Sequence, residues 1–224
     1  MDNKSNNTNN KETINNIQSY IDKANSIAIV PSKINGADAY SAGCGLYKSL
    51  KILDKKVSFI HTHKVPEGCE HLLTQEELIN DIFERELHVS IDYSQTPAAR
   101  VHYSTENDVL HLKVKPIDKN FDLSRVKATI KGFNFDLVIV IGATELEDLG
   151  QIYHELKESF NLSSIINIDH SSLNKHYGKV NLIDNTKDSI STLMLQTISK
   201  LNYPLTDNIA KCFLTGLIAK NQIN

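Results

Sequence analysis

Short stretches at residues 27–30, 57–60, 137–141, 165–168 and 180–183 are almost wholly apolar and rich in isoleucine and valine. A strand with one face in water alternates apolar and polar residues, whereas a strand covered on both faces has little place for polar ones. These stretches therefore read as strands buried on both sides, too short to be helices and bounded by polar turns. Between them the apolar spacing changes to three and four residues. Ile14, Ile17, Ile21 and Ala24 share one helical face, as do Ala42, Leu46, Leu50 and Leu53, and residues 146–160, 189–201 and 207–220 read as helices too. Strands alternating with helices specify an α/β domain whose parallel sheet is packed by helices on both faces. In such a sheet ligands bind beyond the carboxyl ends of the strands, here the turns after Val30, Ile141 and Ile168.

The rhythm breaks in the middle of the chain. Thr74 and Glu77 have the spacing of a capping box for a helix through Phe83. Residues 89–93, 100–103 and 109–114 then alternate as strands, and the turn Glu106-Asn107-Asp108 joins the last two as a hairpin. Residues 88–116 are thus expected to form an antiparallel β insertion, at a sheet edge or as a flap, where partners can bind. Residues 1–12 are mostly Asn, Lys, Asp, Ser and Thr and are expected to be a disordered tail; residues 13–224 form the α/β domain. A net charge of −3 gives no bulk attraction to nucleic acid or to an anionic membrane. No secretory pattern and no apolar run of about 20 residues is present, so the expectation is a soluble, cytoplasmic protein. Cys44, Cys69 and Cys212 lack metal-knuckle spacing and read as ordinary thiols of a reducing compartment.

The strand ends carry the chemistry. After the first come Ser32, Asn35, Gly36, Asp38 and the small run Ser41-Ala42-Gly43-Cys44-Gly45. After 137–141 come Gly142-Ala143-Thr144, and after 165–168 come Asp169-His170-Ser171. His61, His63, Cys69 and His71 lie close together but without standard zinc-ligand spacing, and read as an exposed polar loop. Cys44 sits near a helix N-terminus with no acid or histidine assignable beside it.

Asn167-Ile168-Asp169-His170, then Asn174, Gly178, the strand at 180–183 and a helix opening at Ser189-Ile190-Ser191-Thr192, resembles the third motif of the DHH phosphoesterases. Asp38-Ala39 is similar to the second half of that family's first motif, and Leu214-Thr215-Gly216-Leu217-Ile218 to the approach to its fourth. The resemblance runs from about Ile27 to the C-terminus and implies a Rossmann-like fold, a two-metal site and a smaller C-terminal domain that closes over the cleft; this chain is expected to lack that domain. Five positions of these motifs differ. Ser32 and Gly36 stand where the resemblance places a histidine and an aspartate, Gly142 where it places a bridging aspartate, Ser171 where it places the second histidine, and Lys220 where it places the last aspartate.

Two divalent ions a few ångströms apart repel strongly and need the negative charge of several carboxylates. With Asp38 the one aspartate left and an ammonium at Lys220, metal-dependent hydrolysis is not expected. Asp38 and His170 would share one metal position in the family, which leaves room for a single weakly held Mn²⁺ or Zn²⁺. Alternatively Asp38 caps the helix it precedes and Asp169 and His170 bond the neighbouring turn. A third reading keeps a phosphate-sized pocket in which His170, Lys220 and the helix N-terminus after Gly36 attract an anion. The ligand-binding set expected is Asn35, Gly36, Asp38, Asp169, His170 and Lys220, with no catalytic residue. The function expected is a non-catalytic DHH-like domain that binds a small phosphorylated, nucleotide-like ligand or a protein partner. The alternatives are a Mn²⁺-dependent phosphoesterase acting on short oligonucleotides or small nucleotides, and an assembly protein that forms a homo-oligomer through the β insertion.

Overall fold

The computed structural model describes residues 3–79, 86–92, 94, 100–115, 120–131 and 134–222. The chain divides into two compact units, residues 1–84 with 133–224, and residues 85–132. The first unit holds strands β1 (Ile27–Pro31), β2 (Val57–Ile60), β3 (Leu78–Ile79), β8 (Leu137–Ile141), β9 (Ser164–Asp169) and β10 (Val180–Ile183). They form one six-stranded sheet in the order β10-β9-β8-β1-β2-β3. All five pairings are parallel. From β1 the chain builds outward through β2 to β3, then returns to β1's other side and builds through β8 to β10. The direction of winding reverses between β1 and β8, and the ends of neighbouring connections part there to leave a crevice.

Strands β1, β2, β8 and β9 each contribute to two cores. Ile27, Ile29, Phe59, Leu137, Ile139 and Ile141 face one cluster, with Ile17 and Ile21 of α1 (Asn3–Lys23), Leu46 and Leu50 of α2 (Gly36–Ile52), Met194 of α4 (Ile190–Lys200) and Phe213 of α5 (Asp207–Gln222). Ala28, Val30, Val138 and Val140 face the other, with Ile152, Leu156 and Phe160 of α3 (Gln151–Leu162). Period-two alternation within an all-apolar strand is thus intact, and both faces point into a core.

The elements depart from expectation in several places. α1 begins at Asn3, so residues 3–12 of the segment read as a disordered tail continue a helix; extending a helix already anchored by Ile14, Ile17 and Ile21 costs far less than nucleating one. Thr74 N–H does donate to Glu77 Oε2 at 2.8 Å, but only one 3₁₀ turn, Gln75–Glu77, follows. Leu78 and Ile79 then pair with Phe59 and Ile60 and extend the sheet, because parallel pairing buries Leu78 where a helix would have exposed the sheet edge; the continuation to Phe83 lies outside the described residues. The helix expected over 146–160 is divided at Gly150, whose φ of +62° ends a 3₁₀ turn before α3 starts.

The second unit contains β4 (Glu86–Ile91) paired antiparallel with β7 (Val126–Lys131), and β5 (Arg100–Glu106) paired antiparallel with β6 (Val109–Lys115). Asn107 and Asp108, at φ of 50° and 61°, make the tight hairpin turn that right-twisted strands favour. β7 lies beyond the 88–116 insertion read from sequence. Tyr93, the last residue of the strand read at 89–93, lies outside the described residues.

Candidate functional site

The crevice opens at the reversal between β1 and β8. Ser32 N–H donates to Ile141 O at 2.8 Å and Gly142 N–H to Ile168 O at 2.8 Å, carrying the sheet ladder one residue past the strands. The Asn35 side-chain N–H then donates to Gly142 O at 2.6 Å and ties the two loops together. Around this junction lies an open space of about 480 Å³ lined by Ile34, Asn35, Thr144, His170, Ser171 and Leu173, with Ser172 and Asn185. None of these lining residues is a lysine or arginine.

Asp38 lies in the first turn of α2 but points away from solvent, at 4% exposure. Its Oδ2 accepts the N–H of Ile190 at 2.8 Å and its Oδ1 the N–H of Ser191 at 2.9 Å, the opening residues of α4. Ser189 Oγ accepts the N–H of Thr192 at 3.0 Å. The N–H groups that a helix leaves without partners at its start are thus met by a carboxylate and a hydroxyl, and the positive end of the helix dipole has its counter-charge. Asp38 caps α4, not the helix it sits in.

Gly142 shows why no carboxylate stands at that position. Its φ is +73°, and a Cβ there would lie 2.6 Å from Ile190 Cδ1, 3.0 Å from Ala39 Cβ and 3.2 Å from Asn35 Cβ. The volume a side chain would need is filled by the same turn of α4 that Asp38 holds in place.

Asp169, with 0% exposure, ends β9. Its Oδ1 accepts the N–H of His170 at 2.8 Å, with His170 Nδ1 at 3.5 Å, and its Oδ2 accepts the side-chain N–H of Asn174 at 2.8 Å. Burial pushes its carboxyl pKa up, but hydrogen bonds from the side chains of His170 and Asn174 and the backbone N–H groups of His170 and Ser171 outweigh it, and the pKa lies below the ordinary value. Asn174 also donates to Ala143 O at 2.9 Å and accepts from Asn167 Nδ2 at 2.7 Å, and Asn167 Nδ2 bonds Asn181 Oδ1 at 3.0 Å. Three asparagines therefore fasten the loop after β9 to the ends of β8 and β10, and fix where His170 stands.

Of the residues expected to bind a ligand, Asn35 and His170 line the crevice. Gly36 supplies a φ of +46° that lets α2 start at the crevice wall. Asp38 and Asp169 are buried behind the wall and bonded to backbone. Lys220 has no hydrogen bond or ion pair to these residues among those described. Space for a Cβ at Gly45 is taken by the Phe213 ring and at Gly216 by Ser191 and Ser41, so α2 and α5 run antiparallel, and the next turn carries Lys220 toward the N-terminal end of α2. Ile34, Ser172, Leu173 and Asn185 were missed, since nothing in their local pattern marks a lining residue, whereas Thr144 and Ser171 lie in the strand-end turns that the sequence singled out. The recurrence of asparagine at 167, 174 and 181 was the available signal for the loop network.

The loop holding His61, His63, Cys69 and His71 is not the exposed loop expected. His61 and Cys69 are buried, His61 with its ring edge-on to Tyr40 and Cys69 Sγ at 3.5 Å from Ser41 Oγ, because Leu72 and Leu73 anchor the loop in the core. Among the described residues no group of three or more His, Cys, Asp or Glu side chains is placed to hold a metal ion. No described helix is long and apolar enough to cross a membrane.

No family model matches the sequence, and no curated protein matches it. Among solved structures, the crystal structure of an exopolyphosphatase-related protein from Bacteroides fragilis is similar in fold, with a TM-score of 0.62 and 15% identity. The match covers 94% of this chain and 50% of that one, so this chain spans about half the length of that protein. At this identity the likeness carries the α/β fold.

Proposed function

We propose that this chain is a phosphoesterase-like domain of the DHH type that does not perform metal-dependent hydrolysis and instead binds a small phosphorylated, nucleotide-like ligand in the crevice between β1 and β8. The observation that carries this reading is the double engagement of Asp38 by Ile190 N–H and Ser191 N–H. The residues do not fit the two ions that the family resemblance implies. A metal drawing on Asp38 would strip the first turn of α4 of its acceptor, leaving buried N–H groups unpaired. Asp169 is committed to Asn174 and to His170 N–H, and the place of a bridging carboxylate is filled by Ile190, Ala39 and Asn35.

The crevice offers what a single phosphate and an attached base can use. Asn35, Thr144, His170 and Ser171 present hydrogen-bonding groups beside the N-terminus of α2. Ile34 and Leu173, at 68% and 78% exposure, give apolar surface on opposite loops. Lining free of lysine and arginine suits a ligand of low charge better than a polyphosphate chain.

Calorimetric titration with nucleoside monophosphates in the absence of metal tests the reading. Binding is expected, with a loss of roughly tenfold or more in affinity for His170→Ala and for Asn35→Ala, the scale of one hydrogen bond to a charged group. Hydrolysis assays with Mn²⁺ on short oligonucleotides, cyclic dinucleotides and pyrophosphate run beside it. Metal-dependent turnover that Asp38→Ala abolishes would overturn the proposal in favour of a working Mn²⁺ phosphoesterase.

A further inference from the structure

The hairpin of β5 and β6 has no strand on either outer edge among the described residues. Its register sets Val101 opposite Val114, Tyr103 opposite Leu112 and Thr105 opposite Leu110, so one face is an apolar strip. Most of that strip is in water, with Tyr103 79% exposed, Val101 64% and Leu110 61%. A two-stranded hairpin is marginally stable in water, and independent stability comes with three or more strands over a hydrophobic face. The unpaired N–H and C=O groups of its edges are a template for another strand.

The two edges differ in what they accept. When identical strands pair antiparallel across a two-fold axis, the contacts are reciprocal, and residues equally far from the centre face each other. For β5 centred on Tyr103, Arg100 of one copy faces Glu106 of the other, twice over; Val101 faces Thr105 and Tyr103 faces its own counterpart. For β6 centred on Leu112, Lys113 faces His111 and Lys115 faces Val109, with no opposite charges brought together. Opposite charges directly across a sheet stabilise the pairing and like charges oppose it. Pairing β5 of one copy with β6 of another leaves a β5 edge and a β6 edge free to repeat the same contact and continues without closing, whereas pairing β5 with β5 uses both β5 edges in a single two-fold contact.

We infer that two copies of this chain associate through the outer edge of β5, antiparallel and centred on Tyr103, into a four-stranded sheet whose register is fixed by Arg100–Glu106 ion pairs between copies. The association rests on residues 100–115 alone and is independent of what the crevice binds. Its test is the mass of the full chain by analytical ultracentrifugation over a range of concentrations. The wild type is expected to be dimeric, and Arg100→Glu to weaken dimerisation about tenfold or more, because two exposed attractions become two repulsions. The double variant Arg100→Glu with Glu106→Arg restores the pairs in reverse and is expected to recover wild-type affinity. A monomeric wild type overturns the inference, as does a dimer indifferent to Arg100→Glu. Weakening that the double variant does not rescue overturns the antiparallel register.

Discussion

Asp38 and Gly142 are two sides of one packing decision. The carboxylate holds the first turn of α4 against the first turn of α2, and Ile190 then fills the space next to Gly142. Asp38→Ala is expected to lower the free energy of unfolding by about 3 kcal/mol or more in urea titration, since it orphans two buried N–H groups that a charged acceptor had served. Asp38→Asn keeps one acceptor and should lose less. Placing an aspartate at Gly142 is expected to destabilise by a comparable amount and to recruit no metal, because its Cβ meets Ile190 Cδ1 at 2.6 Å. Asp169 makes a prediction in pH. Its folded pKa lies below the ordinary carboxylate value, so its stabilisation is present above the unfolded pKa of about 3.9 and is lost as pH falls through the folded value. Asp169→Asn should therefore reduce stability at neutral pH and flatten the acid side of the stability profile. The sequence located these residues at strand ends but not the direction their carboxylates face. That direction comes from Ile190, 152 positions from Asp38, and no local pattern reports so distant a partner.

Helices and strands were legible where one physical preference dominated. Buried parallel strands have no polar face to find, and their runs of Ile and Val located β1, β8, β9 and β10 closely. Elements set by competition were not legible: Leu78 and Ile79 follow a sound capping box yet go to the sheet, and Gly150 divides a stretch whose apolar spacing is continuous. In the small-residue run after Asp38, the absence of a side chain at Gly45 makes room for the Phe213 ring of α5. A Cβ at Gly45 would collide with the Phe213 ring, and one at Gly216 with Ser191. Gly45→Ala is expected to cost about 1–3 kcal/mol, the range for overpacking a tight core. Combining it with Phe213→Leu, which shortens the side chain in the way, should cost less than the two single changes added together. A double-mutant cycle in urea checks this, and simple additivity would mean that α2 and α5 do not meet as described.

On the scale of the whole chain, residues 85–132 form a compact unit spliced between β3 and β8 of the sheet. The register of the sheet tells what removing them would require. β3 ends level with Ile60, and β8 begins level with Ile27, which pairs with Val57. Three strand spacings of about 4.8 Å separate β3 from β8 sideways, and about 10 Å separates those levels along the strands. The gap to be closed is therefore about 17 Å, and an extended chain covers about 3.3 Å per residue. Residues 80–84 and 133–136 with a short Gly/Ser linker reach that far. Both cores of the sheet are built from residues outside 85–132. Replacing that unit by the linker is expected to leave a cooperatively folding α/β domain with unchanged affinity for a nucleoside monophosphate, measured by calorimetry, and to abolish dimerisation. Loss of folding on excision would show that the insertion stabilises the sheet. Loss of binding in a folded variant would place part of the ligand site on the insertion, and not only at the strand ends where Asn35 and His170 line the crevice.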